Sequence, residues 1–418
     1  MSNYIKKKKI LVLSSTFPKN DKDEVPTFVK DQIINLKKEY DFLDFTVVVP
    51  ETNDGVASDQ SEYFKEIRYH YFWPRRFEVL IGKGIVPTIK KNKLTFFLVP
   101  FYFLAQLIVA LKISRRIKPD LIYSHWFTPQ GITAYIVSII YKIPFTFTTH
   151  AQDVIVLRKI PIFGPFLARQ AIKKSSAWTC DSKSTEERLI KTIGINNFDE
   201  NKSLSVPMAV DSTTYENLSV QSYPNLKSIE KDFNLLFIGR FAEIKGVEYL
   251  LKLFKEINKK YSDINLILGG DGNLKNDYEK LISQLKIKKD KVIFTGYVDK
   301  ELKKYLFDIS NIKFIPSILS STGHKEGLPV VLLESLYFGK VVMASKYCNA
   351  EEVLEDGRSG FLFDPLNLEK SLKLFEKVYN LPKGRVDEIE KNSLETGLKY
   401  TSASLTKVYY EHLFADFI

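Results

Sequence analysis

The chain has 418 residues, 44% of them hydrophobic and 27% charged, with a formal net charge of +11. That length predicts two or three domains with substantial cores, and the composition argues against a disordered or fibrous chain. The two cysteines, Cys180 and Cys348, have no metal-like spacing, which argues against a disulfide framework or a zinc site and fits a reducing compartment. From the start, residues 1–9 are basic, and the apolar run "ILVL" (residues 10–13) is too short for a signal peptide. It reads as a first buried strand, so the chain is expected to be cytoplasmic. Further strand candidates follow at residues 44–50, 120–126, 144–150 and 177–182, separated by helical stretches such as residues 28–40 and 128–141. A second series begins at "FNLLFIGR" (residues 233–240) and continues at residues 264–272, 291–298, 312–317 and 340–345. Continuous apolar strands alternating with helices predict parallel sheets covered on both faces. The polar stretch at residues 211–232 between the two series lacks apolar periodicity and reads as a linker.

The positive charge is uneven. Residues 1–210 hold 31 basic against 20 acidic residues, and residues 211–418 hold 30 against 30. Within the first half, residues 61–118 hold 12 against 3. Such asymmetry points to an anionic partner. The same segment contains 18 residues of mostly apolar character, residues 94–111, interrupted by Pro100 and Gln106. Its flanks are basic on both sides: Lys90, Lys91 and Lys93 before it, Arg115, Arg116 and Lys118 after it. By length it could just span a bilayer. The proline, the two basic flanks and the strands on either side favour a helix partly buried in its domain that offers an apolar, cationic face to a membrane surface. "YHYFWPRRF" (residues 69–77) mixes aromatics with arginine as interfacial segments do. A nucleic-acid site would interleave its basic residues with exposed polar groups instead of an apolar run.

The motifs that could carry chemistry lie at strand ends. "FIGRFAEIKG" places Arg240 and Lys245 between a strand and a helix, a setting that suits a diphosphate. "LGGDGN" (residues 268–273) is a glycine-rich turn that lets backbone approach a ligand. Neither is a dinucleotide fingerprint or a P-loop, which argues against a dehydrogenase. His125 and His150 each follow a strand. "GHKEGLPVVLLES" (residues 323–335) sets Glu326 before a helix expected to start at Pro329 and Glu334 inside it. Taken alone, the two acids fit equally a phosphate-and-sugar site at a helix N-terminus or a dipole-favoured acid plus a solvated one. Asp21-Lys22-Asp23 has the form of a metal–diphosphate motif but lacks a strand before it, and no other cluster has metal spacing. No Gly-x-Ser-x-Gly nucleophile turn occurs.

Taken in order, these pieces resemble the family-4 retaining glycosyltransferases: Gly239-Arg240-Phe241 with Lys245-Gly246, the glycines 269–272, Glu326-Gly327 through Glu334, "STFP" (residues 15–18), His125, His150 with Asp153, and "VPMAVD" (residues 206–211). The resemblance implies the GT-B fold, two doubly wound Rossmann-like domains facing a central cleft. It implies an acceptor-side domain over residues 1–210, a donor-binding domain over residues 211–398, and a helix over residues 399–418 returning to the first. Glu326, Arg240, Lys245 and His150 are then expected to be catalytic, with Glu326 by the donor sugar and Arg240 and Lys245 neutralising the leaving diphosphate. Glu334 would hold the ribose, while Gly327, Leu328, Pro329, Val330, Gly239, Gly270 and Asp153 would line the donor. The implied activity is retaining, metal-independent transfer from a nucleotide sugar, with no cofactor, to a lipid-linked or glycan acceptor in bacterial surface-polysaccharide synthesis. The place of action would be the inner face of the plasma membrane. A non-catalytic nucleotide-sugar or glycan-binding role on the same fold is the alternative. Ala151 and Ala209 stand where the family usually has glycine.

Overall fold

The runs at residues 10–13, 121–125 and 145–149 bury completely and form strands. The computed structural model describes residues 6–20, 25–51, 60–81, 85, 88–89, 92–150, 153–157, 160, 162–219, 223–321 and 326–418. They form two compact units, Met1–Pro207 with Leu405–Ile418, and Met208–Ser404.

In the first unit, β1 (Lys8–Leu13), β2 (Leu43–Pro50), β3 (Phe64–Tyr69), β4 (Leu121–His125), β5 (Phe145–Thr149), β6 (Ala177–Cys180) and β7 (Ser203–Ser205) form one sheet. Its order is β3-β2-β1-β4-β5-β6-β7, and every pair is parallel. Residues 10–13, 121–125 and 145–149 are wholly buried, as strands covered on both faces must be. The strands at the edges escape a reading by apolar runs. β3 reads FKEIRY, with charged residues at Lys65, Glu66 and Arg68, and β7 is three residues long. The covering helices are α1 (Phe28–Glu39), α2 (Val99–Ile117), α3 (Ile132–Tyr141), α4 (Phe163–Lys174) and α5 (Lys183–Ile193).

Pro100 does not break α2. It sits in the first turn, where a missing N–H costs nothing, and a 3-10 turn over Lys93–Leu98 leads into it. The stretch Lys93–Ile117 is long and apolar enough to cross a membrane by length and composition. One face of α2 buries Tyr102, Gln106, Ala110 and Ile113, while Phe97, Phe101, Leu104, Ile108, Lys112 and Arg115 form an exposed stripe at three- and four-residue spacing.

The second unit repeats the plan. β8 (Asn234–Ile238), β9 (Asn265–Gly269), β10 (Val292–Gly296), β11 (Ile312–Ile315), β12 (Val341–Ser345) and β13 (Phe361–Phe363) are all parallel, in the order β10-β9-β8-β11-β12-β13. Its helices are α6 (Ser212–Asn217), α7 (Val247–Lys260), α8 (Lys275–Gln284), α9 (Lys300–Asp308), α10 (Val330–Tyr337), α11 (Leu368–Tyr379) and α12 (Lys383–Leu398). The stretch read as a linker, residues 211–232, is anchored in this unit: α6 lies in it, and Tyr215 and Leu226 are buried. The last helix, α13 (Ser402–Leu413), carries Tyr410, which stacks on Tyr40 of the first unit at 3.7 Å, and His412, whose Nε2 meets the Trp178 carbonyl at 3.0 Å.

Candidate active site

In both sheets the strand order reverses beside the first strand, between β1 and β4 and between β8 and β11. Ligands of open parallel sheets bind outside the carboxyl ends at such points.

In the second unit, Gly239 and Arg240 follow β8, and Arg240 is exposed. The chain then makes a 3-10 turn over Glu243–Lys245, and Gly246 takes φ +66 before α7. A side chain at 246 would run into the carbonyl of Pro316, just past β11, so two loops of the switch point pack backbone on backbone. Gly270 has φ +132, and a Cβ there would overlap the Gly239 carbonyl. The amides of Gly239 and Phe241 donate to the carbonyls of Gly269 and Asp271, at 2.9 and 2.8 Å. Gly239 and Gly270, expected to bring backbone to a donor, thus bring it to each other and hold the loops in register.

Lys245 reaches across this point and forms an ion pair with Glu326. The hydroxyl of Ser317, from the loop after β11, donates to the other Glu326 oxygen at 2.5 Å. The backbone then runs through Gly327 and Leu328 to Pro329, which is extended at φ −68, ψ 130 and caps α10. The helix therefore starts at Val330, one residue later than expected. Glu334 lies beyond its first turn and is buried. Tyr215 Oη donates to Glu334 Oε1 at 2.8 Å, and Lys303 Nζ lies 2.8 and 3.1 Å from its two oxygens. Burial and the Glu334 carboxylate push the Tyr215 hydroxyl well above the usual tyrosine range. Residues 322–325, including His324 and Lys325 of the same motif, lie outside the described residues, as does the Asp21-Lys22-Asp23 motif.

In the first unit, His125 ends β4 and His150 follows β5. Their rings stack 5.7 Å apart at 10°, with His125 Nδ1 3.4 Å from His150 Nε2. Phe28 meets both rings edge-on, and Trp126 lies 5.0 Å from His150. Loss of water in this aromatic box lowers the pKa of His150 and holds that of His125 well below the ordinary range, where its neighbour His150 adds to the effect. Asp181 opposes the shift at His150. Two neutral imidazoles result, and that of His150, the less buried of the two, can donate or accept a hydrogen bond to a sugar hydroxyl. Asp153 is engaged within the fold. One carboxylate oxygen accepts from the amide of Phe127 and the other from the hydroxyl of Thr149 at 2.7 Å, which ties the loops after β4 and β5 together.

The histidine pair carries a pH signature. The unfolded imidazoles titrate near about 6.5, and the folded ones lower, so below about 6.5 the unfolded state binds more protons. The stability of the first unit is present above that value and falls as pH drops through it. The melting temperature is expected to decline between about pH 7 and 5, and His125→Phe is expected to flatten the decline. A thermal-denaturation series in matched buffers checks this.

His150 and Asp153 therefore belong to one unit, and Arg240, Lys245, Glu326, Glu334 and the residues around them to the other. Sequence reasoning passed over Ser317, Tyr215 and Lys303. Ser317 could have been found from its place after the strand that flanks the switch point. Lys303 looks like any solvated lysine on an amphipathic helix, and Tyr215 sits in a stretch with no periodicity.

Two family models cover most of the chain. Glycosyltransferase Family 4 matches residues 44–212, and Glycosyl transferases group 1 matches residues 222–394. The chain belongs to the family-4, group 1 glycosyltransferases. This glycosyltransferase is 25% identical over 346 residues, 81% of its length and 86% of the relative's, to an uncharacterised glycosyltransferase of Methanocaldococcus jannaschii. It is 29% identical over 189 residues, 44% of its length and 50% of the relative's, to a Campylobacter jejuni alpha-1,4-N-acetyl-D-galactosaminyltransferase whose name gives a diNAcBac-PP-undecaprenol-linked acceptor. Among solved structures, Anabaena HepE in complex with UDP matches at TM-score 0.65 and 15% identity over 96% of this chain and 98% of that one. The glycosyltransferase has the GT-B fold, built from two Rossmann-like domains.

Proposed function

We propose that this glycosyltransferase moves a sugar from a nucleoside-diphosphate donor to a lipid-linked or glycan acceptor, with retention and without a metal. The reading rests above all on the meeting of Lys245, Glu326 and Ser317 at the switch point of the second unit. Departure of a nucleoside diphosphate creates negative charge. Lys245, the exposed Arg240 and the first amides of α10 supply the positive partners for it. To take up the diphosphate, Lys245 exchanges its carboxylate partner for phosphate oxygen, which frees Glu326 to meet the sugar. The bond from the anomeric carbon to phosphate breaks as the bond to the acceptor oxygen forms on the same face, and the acceptor's proton passes to the departing phosphate. His150, kept neutral, offers a hydrogen bond to a sugar hydroxyl at the first unit's own switch point, and Glu334 in the second unit accepts from the ribose.

The acceptor is proposed to be presented at an anionic membrane, on the cytoplasmic side, in surface-polysaccharide synthesis. Two observations support this. Crossover helices of a parallel sheet start at its carboxyl edge, so exposed Phe97 and Phe101 before and in the first turn of α2, and exposed Ile162 and Phe163 at the start of α4, share that edge with His125 and His150. The C. jejuni relative, moreover, is named for an undecaprenol-linked acceptor.

Incubation with UDP-, GDP- and ADP-sugars, with the product's anomeric proton followed by NMR, tests the reading. Transfer or slow hydrolysis that conserves the donor's anomeric configuration and persists in EDTA is expected. An inverted product or loss of activity in EDTA overturns the corresponding part. Nucleotide binding without turnover of any donor leaves the binding role.

A further inference from the structure

We propose that Lys303, backed by Tyr215, restricts Glu334 to reading a single hydroxyl of the donor's ribose, which makes Lys303 a specificity-determining position; this rests on the assignment of Glu334 to the ribose above. A carboxylate offers about four acceptor directions, two on each oxygen. Lys303 Nζ lies 2.8 Å from Oε1 and 3.1 Å from Oε2, and a donor that reaches both oxygens must sit between them. It therefore covers the inner direction of each. Tyr215 Oη, 2.8 Å from Oε1, takes that oxygen's outer direction. Among the described residues nothing else bonds the carboxylate, which leaves the outer direction of Oε2 for a ligand. A ribose diol that straddled the carboxylate would need the two inner directions, the ones the lysine holds.

Lys303 is not placed to yield them. Glu334 is buried, and an ammonium–carboxylate hydrogen bond is about twice as strong as a neutral one. Exchanging it for two hydroxyl contacts gives up a charge-assisted hydrogen bond, whereas adding one hydroxyl at the open direction gives up none. The neighbouring lysines of α9 stiffen the arrangement. Lys300 pairs with Asp211 at 2.9 Å, and Lys304 donates to the carbonyls of Tyr215 and Leu218 at 2.9 and 2.7 Å. The helix that carries Lys303 is thereby tied to the helix that carries Tyr215.

Calorimetric titration of the whole protein with UDP, GDP and ADP, and with the 2′-deoxy and 3′-deoxy forms of the tightest binder, tests the inference. The wild type is expected to lose about tenfold in affinity with one deoxy form and less than about threefold with the other, since one hydrogen bond to a charged group is at stake. Lys303→Met, which opens the inner directions, is expected to lose affinity with both. A general loss of fold would not create that second penalty. Equal penalties in the wild type overturn the inference while leaving Glu334 on the ribose. No penalty from either analogue, or no binding by any nucleoside diphosphate, overturns the ribose assignment itself and the inference with it. Should Lys303→Met fail to fold, the wild-type comparison decides alone.

Discussion

Lys245→Ala is expected to lower kcat/KM by about 10²–10³-fold, the scale of removing one preorganised charge partner from a developing anion. The loss should fall on kcat as well as on donor affinity, because the leaving group is more negative in the transition state than in the bound donor. The ion pair with Glu326 sharpens the expectation. Without Lys245, Glu326 keeps the Ser317 hydroxyl alone among the described residues and places a less compensated carboxylate beside the phosphates. Part of the loss is then repulsion, which Glu326→Gln can relieve. The double variant should bind UDP or another nucleoside diphosphate more tightly than Lys245→Ala does, while remaining slow in transfer. Steady-state kinetics and nucleotide titration of the two single variants and the double variant form the cycle that separates the terms. Additive effects on binding would mean that the pair seen in the structure is not part of the donor site.

A second large effect is expected at the apolar stripe of α2. Phe97, Phe101 and Leu104 are 73%, 50% and 53% exposed, where side chains of this kind are ordinarily buried. Immersing three such side chains part-way in a lipid interface gains about 3 kcal/mol, at about 25 cal/mol per Å² of apolar surface. Changing all three to glutamate should therefore lower partitioning onto anionic vesicles by about 10²-fold or more. Lys112, Arg115 and Arg116 continue the same helix toward the opposite edge of the sheet. Their contribution, about 1 kcal/mol each near a charged surface, is screened by salt. Changing these three to glutamine should weaken binding at low salt and matter little at about 0.5 M, whereas the glutamate triple should fail at both. Co-sedimentation with vesicles at two salt concentrations measures this. Unchanged binding in both triples would remove this surface from the membrane.

Much of the fold was legible because parallel strands buried on both faces must be apolar throughout. "ILVL", "NLLFI" and "VVMAS" are such runs, and each forms a strand with a neighbour on either side. β3, β7 and β13 were not legible. An edge or three-residue strand is stabilised by the neighbour it pairs with and needs no apolar signal of its own. The same limit applies to residues 211–232, whose polarity conceals Tyr215 because one buried hydroxyl leaves no periodicity.

By itself the sequence determined the two βα series, the uneven charge, and which residues could carry the chemistry, since these depend on residue type and local order. Arg240, Lys245, Glu326 and Glu334 were singled out as candidates in that way. Which of them touch was decided only by the tertiary structure. Lys245 and Glu326 lie 81 positions apart and meet because strand order reverses between β8 and β11. Lys303 and Tyr215 converge on Glu334 because α9, α6 and α10 converge there, and a charged pair inside a protein is set by geometry that no local pattern encodes. The glycines make the same point: residues chosen for freedom of backbone turn out to be required where two loops touch.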